Sequence, residues 1–389
     1  MSMISLDTET TGLDLYHGAK PYLITMANEQ GENLVWEWEV QHETREPIIP
    51  YEDIAEIQEA LDNADYIVLQ NPKFDYNALQ QALLGKLYWN WNKVYDTLLA
   101  GHLLASNQPH DLTTMTQVYL NTNVQPFEDA LKTATMEARK LAKQDYPTWR
   151  IAQPGLPEMP SAKSNPWKYD AWLPRAIAAD RKYKRLHPWW TVCSEYGCSD
   201  ATVTLALFKR QRELLEERGL WRIYLERLKV LPVVSDIESK GVTISKSNLQ
   251  KLQKEYSTES KRLGDTCVSI AGKYGHGDLV LPKSGNNGAL LDFFKGVIKP
   301  IGERTKTGQL SLAKSSLIAM LGQFEEGSFQ YEFISSLLAK RKRDTALAYM
   351  EGYERFWLPL KDGGCYILHP SLNPTGRDTL RWSSSNPNE

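Results

Sequence analysis

The sequence predicts an α/β sheet domain followed by a mostly helical region. Two observations carry this. In the first hundred residues short β-rich runs come first and then alternate with helical stripes. After residue 200 the apolar residues recur instead at intervals of three, four and seven.

The first elements follow from pattern. "MISLD" is a short strand, and "PYLITMANEQGENLVWEWEV" reads as two strands around a turn at Gln30 and Gly31. "EDIAEIQEALDNA" places Ile54, Ile57 and Leu61 on one helical face. "YIVLQN" is a further strand, and Phe74 to Leu84 a further helix.

Between Asn121 and Pro188 lie eight of the chain's 20 prolines, with Trp149, Trp167, Trp172, Trp189 and Trp190 nearby. Flexible linkers lack tryptophan, so this segment reads as an ordered but irregular insertion. Beyond it, "SKSNLQKLQKEYSTESKRLGDTCVSIAGKYG" aligns Leu249, Leu252, Tyr256, Leu263, Cys267 and Ile270 as the stripe of one long helix. Ser247 with Gln250 forms a capping-box pattern, and Gly272 or Gly275 a stop.

Charge divides the chain. Residues 1–200 carry 17 Lys and Arg against 27 Asp and Glu, and residues 201–389 carry 28 against 21. An acidic half suited to cations and a basic half suited to a polyanion are implied. No apolar run approaches the roughly 18 residues that span a membrane. The four cysteines form no disulfide framework, and Cys193 and Cys198, five apart, have poor zinc spacing. A reducing, cytoplasmic compartment is expected.

Three acidic segments matter together. In "LDTETTGL", Asp7 and Glu9 stand two apart at a strand end, so both carboxylates share a face. In "NPKFD", Asn71 and Asp75 follow a strand and open a helix. In "YGCSD", Tyr196 and Asp200 stand four apart on one helical face. Singly, such acids are caps or solvated residues. Jointly, four carboxylates and a tyrosine at one sheet end make a hard oxygen site for two Mg²⁺ or Mn²⁺ ions.

These segments resemble the three motifs of the ribonuclease H-like 3′–5′ exonucleases whose third motif carries tyrosine. The connecting "VYDTLLAGHLLASNQPHDLTTMTQVYL" is similar as well. The resemblance implies that Asp7, Glu9, Asp75 and Asp200 bind the metals and that Tyr196 orients the attacking water. Thr10, Leu13, Asn71 and Phe74 would meet the 3′ end of single-stranded DNA. One departure is the 125-residue separation of Asp75 and Asp200, caused by the insertion. There Arg175, Arg181, Lys182, Lys184 and Arg185 read either as a guide for single-stranded DNA or as a solvated basic face.

The second half resembles family A DNA polymerases. "LERLKVLPVVSDIESKGVTIS", "LPKSGNNGALLDFF", "TKTGQLSLAKSSL" and "LAKRKRDTALAYM" are similar to the thumb. "HPSLNPTGRDTLRWSSSNPNE" is similar to the palm entry, with the family's Thr-Gly-Arg falling on Thr379, Leu380 and Arg381 and the nearby Thr375 to Arg377 a decoy. The implied architecture is a ribonuclease H-like exonuclease domain over 1–205, with its insertion at about 122–188. A mostly α-helical thumb over 206–350 and a truncated palm entry over 351–389 follow.

Lys306, Lys340, Arg343 and Arg381 would contact duplex DNA. The rest of the palm and the fingers would belong to a second chain, or the chain is a shortened polymerase. The expected activity is proofreading 3′–5′ hydrolysis, in a bacterial or phage-infected cell. A free-standing nuclease and a non-catalytic DNA-holding subunit are the alternatives.

Overall fold

The computed structural model describes residues 2–41, 46–83, 85–152, 191–282, 288–354, 356–360, 363–377, 379 and 381–385. The chain forms two compact units, one from Met1–Lys240 with Ser371–Ser385 and one from Gly241–Pro370.

The first unit is a mixed five-stranded sheet flanked by helices. Its strands are β1 (Met3–Thr10), β2 (Pro21–Asn28), β3 (Asn33–Glu37), β4 (Tyr66–Leu69) and β5 (Val94–Asp96), in the order β3-β2-β1-β4-β5. The first three pair antiparallel, as a meander, while β4 and β5 run parallel to β1. Parallel pairing needs a crossover. It is supplied by α1 (Tyr51–Asn63) between β3 and β4 and by α2 (Pro72–Leu83) between β4 and β5.

One face of the sheet buries Leu6, Ile24, Met26, Ile67 and Leu69 against Ile54, Ile57 and Leu61 of α1 and Leu79 and Leu83 of α2. Three further helices are α3 (Thr97–Leu104), α4 (Leu112–Leu120) and α5 (Gln125–Ala152), and α6 (Val192–Glu217) follows. On the other face Val68, Leu99, Leu205 and Phe208 pack with Tyr224. The turn expected at Gln30 and Gly31 is present, with Gly31 at φ +82°.

The segment expected to be irregular starts instead as the 28-residue helix α5. Leu131, Ala134, Ala138 and Leu141 recur at three and four residues and pack against Tyr22, Leu23 and Val40. That stripe outweighs the local prolines. The basic positions Arg175 to Arg185 lie outside the described residues.

Helix α6 crosses β1 and β2 at close range. A Cβ on Gly197 would lie 2.9 Å from Thr25 Cγ2, and Ser5 Oγ donates to the Ala201 carbonyl at 2.5 Å. The boundary expected at residue 205 falls inside this continuous helix. The unit runs on through α7 (Trp221–Leu228) and α8 (Leu231–Lys240). The fully buried Tyr224 hydroxyl accepts from the Asp96 N–H at 2.8 Å and so ties α7 to β5.

In the second unit β6 (Val242–Ser245) leads into α9 (Lys246–Gly272). Then come α10 (Gly288–Phe293), α11 (Lys314–Leu321) and α12 (Phe329–Tyr353). β7 (Leu358–Pro359) and β8 (Cys365–Leu368) complete an antiparallel sheet ordered β6-β8-β7. Leu263, Cys267 and Ile270 are buried as the stripe predicts, while Leu252 is 42% exposed. The helix cap is Ser245, which accepts from the Asn248 N–H, rather than Ser247. Strand β6 runs to Ser245, so the helix can start only there.

The first unit also contains the hairpin of β9 (Ser371–Asn373) and β10 (Ser383–Ser385). A Cβ on Gly376 would meet the Ser383 side chain, so the hairpin's own packing favours glycine within Thr375–Arg377, the stretch read from sequence as a decoy.

Gly197→Ala should cost about 1–3 kcal/mol through overpacking, offset in part by about 1 kcal/mol from alanine's helix propensity. Denaturant unfolding should show that loss in the wild-type background and not in a Thr25→Ala background. Equal losses in both backgrounds would place the clash elsewhere.

Candidate active site

The strands β1 and β4 are adjacent and parallel, and the carboxyl ends of such strands are where α/β sheets bind ligands. Asp7 and Glu9 lie at the end of β1, opposite Thr25 and Leu23 of β2, with the register broken just after Glu9. Asp75 stands in the first turn of α2, reached from β4 through Gln70 and Asn71. Tyr196 and Asp200 share one face of α6, which lies over β1. Segments up to 193 residues apart thus meet at one place.

Electrostatics shows how closely they meet. Asp7 is pushed well above the ordinary carboxylate range, first by burial and then by repulsion from Glu9, Asp75 and Asp200. Glu9 is raised by burial and by Asp200 and Asp75, although both it and Asp7 remain only half-buried. Asp75 rises to about 7, mostly by burial, even though the Thr8 hydroxyl donates to its Oδ1 at 2.7 Å. Asp200 rises to about 6 by burial, moderated by a hydrogen bond from the Tyr196 hydroxyl. Burial and the neighbouring carboxylates hold the Tyr196 phenol far above its ordinary value, so it is neutral at every working pH.

Among the described residues no lysine, arginine or histidine forms an ion pair with any of the four acids. Like charges held this way need an external cation. The donor set is all carboxylate and phenol, the chemistry of a hard divalent ion. Among the described residues no three His, Cys, Asp or Glu side chains converge as a single-ion cage.

Residues not singled out from sequence hold the site in shape. Asp96, 2% exposed, accepts from the Asn71 N–H at 3.0 Å and from the Leu98 N–H at 2.9 Å. It fixes the β4–α2 turn and caps α3 at once. Asn71 adopts φ +64°, a left-handed backbone that asparagine tolerates better than most residues. Thr8 is the other omission, and its only signal is a hydroxyl between two acids.

The other expected contacts divide. Leu13 is 85% exposed, an apolar side chain projecting from the turn after β1. The Thr10 hydroxyl donates to the Gly12 carbonyl at 2.7 Å. Phe74 packs against Leu15, Ala19 and Ala78, so only part of its ring faces outward.

In the second unit Lys340 pairs with Asp344 at 2.6 Å, and Arg343 grips Glu259 at 2.6 and 3.1 Å while lying over the Tyr256 ring. Two of the four cations expected to meet DNA are thus engaged in ion pairs within the α9–α12 pair. Lys306 is exposed in the Thr305–Gly308 turn, and Arg381 is exposed before β10. All four cysteines are free, and Cys193 is buried with its Sγ 3.3 Å from the Tyr22 hydroxyl.

Residues 1–144 match the 3′–5′ exonuclease family of the A-type DNA polymerases. A DNA polymerase I from Rhizobium leguminosarum is 31% identical over 133 residues, covering 32% of this chain and 12% of that protein. A DNA polymerase from Mycobacterium phage D29 is 30% identical over 106 residues, covering 26% and 15%. The chain thus matches only a small part of the length of these relatives. Among solved structures, the POL domain of Pol1 from M. smegmatis in complex with DNA primer-template and dNTP aligns over 99% of this chain and 51% of its own. The TM-score is 0.63 at 16% identity, a likeness of fold. Tyr196 and Asp200 lie beyond the residues that match the exonuclease family.

Carboxyls raised in the folded state hold protons that the unfolded chain releases, so their contribution to stability is fully present below about pH 4 and is lost as pH rises through about 6 to 7. In chelator at pH 8, Asp7→Asn should therefore be more stable than wild type by about 1 kcal/mol, a rise of about 2–4 °C in Tm. The gain should disappear near pH 4. Thermal melts that show a loss at pH 8 would contradict the crowding of these carboxylates.

Proposed function

We propose that this chain is the 3′–5′ exonuclease part of a family A DNA polymerase and hydrolyses 3′-terminal nucleotides of DNA with two Mg²⁺ or Mn²⁺ ions. The observation that carries this is the meeting of Asp7, Glu9, Asp75 and Asp200 with Tyr196, uncompensated by any cation among the described residues. When bound, the ions supply Lewis acidity towards the attacking water and the leaving 3′ oxygen.

The chain's own groups do the rest. Asp7, Glu9, Asp75 and Asp200 hold the ions, with Thr8 keeping the Asp75 carboxylate in one orientation. Tyr196 stays protonated, so it positions the water by hydrogen bonding and does not serve as its base. Leu13 offers an apolar face to the terminal base, a contact that reads no sequence. Thr10, Asn71 and the outward part of Phe74 complete the seat for the 3′ end.

Duplex DNA is the partner proposed for the second unit. Since Lys340 and Arg343 are engaged with Asp344 and Glu259, phosphate contact passes to Lys306 and to Lys314 and Lys342. The latter two border a groove of about 970 Å³ with Thr305, Ser311 and Tyr349. Cationic side chains that line a groove without ion-pair partners among the described residues suit a phosphate backbone. Arg381 remains a proposed contact. The cytoplasm of a bacterial or phage-infected cell is the corresponding location.

A 5′-labelled primer–template incubated with the chain and Mg²⁺ should give a ladder of shortened primers. Asp7→Ala should lower that rate at least about 1000-fold while duplex affinity stays nearly constant. Tyr196→Phe should lower it about 10–100-fold, the range of groups that orient a reacting partner. Undiminished cleavage by Asp7→Ala would remove the assigned site.

A further inference from the structure

The face of α2 turned away from Asp75 carries Lys73 and Asn77, one helical turn apart, and both reach the same carboxylate. Lys73 Nζ lies 2.8 Å from Glu238 Oε1, and Asn77 Nδ2 donates to Oε2 at 3.2 Å. Ser235 Oγ donates to Asn77 Oδ1 at 2.8 Å. Lys73, Asn77, Ser235 and Glu238 are 8, 5, 1 and 3% exposed, so the cluster is sealed from water. The Leu372 N–H of β9 also donates to Glu238 Oε1, at 2.6 Å. Burial and then the Glu238 carboxylate raise the Tyr16 phenol.

A sealed ion pair is a poor source of stability, since desolvation consumes most of the attraction. What it does supply is a fixed direction. Lys73 stands two residues before Asp75, and apart from Asp75 itself it is the buried charged side chain of α2 among the described residues. Together with the packing of Leu79 and Leu83, the place where Glu238 is held therefore sets the rotation of α2 about its own axis. Glu238 is held in turn by α8 and by a backbone donor of the Ser371–Ser385 hairpin, about 300 residues along the chain from Lys73.

We propose that Lys73 and Glu238 are positioning residues for Asp75, and that through the Leu372 N–H the seating of the hairpin sets the competence of the exonuclease site. The hairpin lies in the segment that resembles the palm entry, so the pair links that segment to the nuclease centre. The inference rests on the exonuclease reading given above.

The test uses the full chain with 5′-labelled single-stranded DNA, together with Mn²⁺ binding followed by electron paramagnetic resonance. Glu238→Gln leaves the Lys73 charge buried without its partner, and Leu372→Pro deletes one N–H in the hairpin. Both variants should lower kcat about 10–100-fold, as loss of orienting contacts does, with KM for DNA nearly unchanged. Both should also weaken Mn²⁺ binding several-fold.

A purely structural role predicts instead a lower Tm with kcat and Mn²⁺ affinity intact in the folded fraction, and that result overturns the proposal. If Glu238→Gln does not fold, Leu372→Pro alone decides, because it leaves the buried cluster's side chains in place. A wild-type chain that binds Mn²⁺ but cleaves nothing would fail the exonuclease reading, while the change in Mn²⁺ affinity would still decide the positioning role.

Discussion

Repulsion among Asp7, Glu9, Asp75 and Asp200 is the constraint on which the first unit depends. Four carboxylates are brought together at the sheet end, all raised chiefly by burial, with Asp7 and Glu9 raised further by the other acids of the site. Nothing in the folding of this segment rewards that arrangement locally. The remainder of the unit has to hold it: a sheet buried on both faces, and a helix drawn close enough to β2 that glycine is needed at position 197. Sites of this kind are where stability is given up for function.

Two polar devices do the fine placement. Asp96 stabilises the turn that presents Asn71 and α2, and it is itself fixed because the Tyr224 hydroxyl accepts its N–H and donates to its carbonyl at 3.1 Å. The Lys73–Glu238 cluster anchors the opposite side of α2. Between them α2 is gripped from both ends of its first turns, so Asp75 is directed by contacts that never touch a substrate. In the second unit the same logic appears in the helix pair, where Ser260 and Lys340 share the buried Asp344 and Arg343 crosses to Glu259.

Much of this was legible in the sequence, for reasons that can be named. Strand alternation put Asp7 and Glu9 on one face, and helical spacing put Tyr196 and Asp200 on another; both periodicities are local. The order of the elements gave four of the five strands and an α/β sheet, while the short β5 (Val94–Asp96) went unread. Thr8, Asp96 and Glu238 were not legible, because their partners lie 67, 25 and 165 residues away. In the basic run at Lys340–Arg343, charge alone did not reveal the ion-pair partners of Lys340 and Arg343. Asp344, four residues after Lys340, was the available warning, whereas Glu259 could not have been found without the fold. Helix α5 was hidden by composition: prolines and tryptophans dominate the count, yet Leu131, Ala134, Ala138 and Leu141 carry the helical stripe.

The central claim is that these four carboxylates form one site for two divalent ions. Anomalous diffraction from crystals soaked in Mn²⁺ tests it without requiring substrate or activity. The account predicts two manganese peaks at this site, with Asp7, Glu9, Asp75 and Asp200 as the protein ligands. Peaks that avoid these side chains, or an empty site at saturating Mn²⁺, would contradict it.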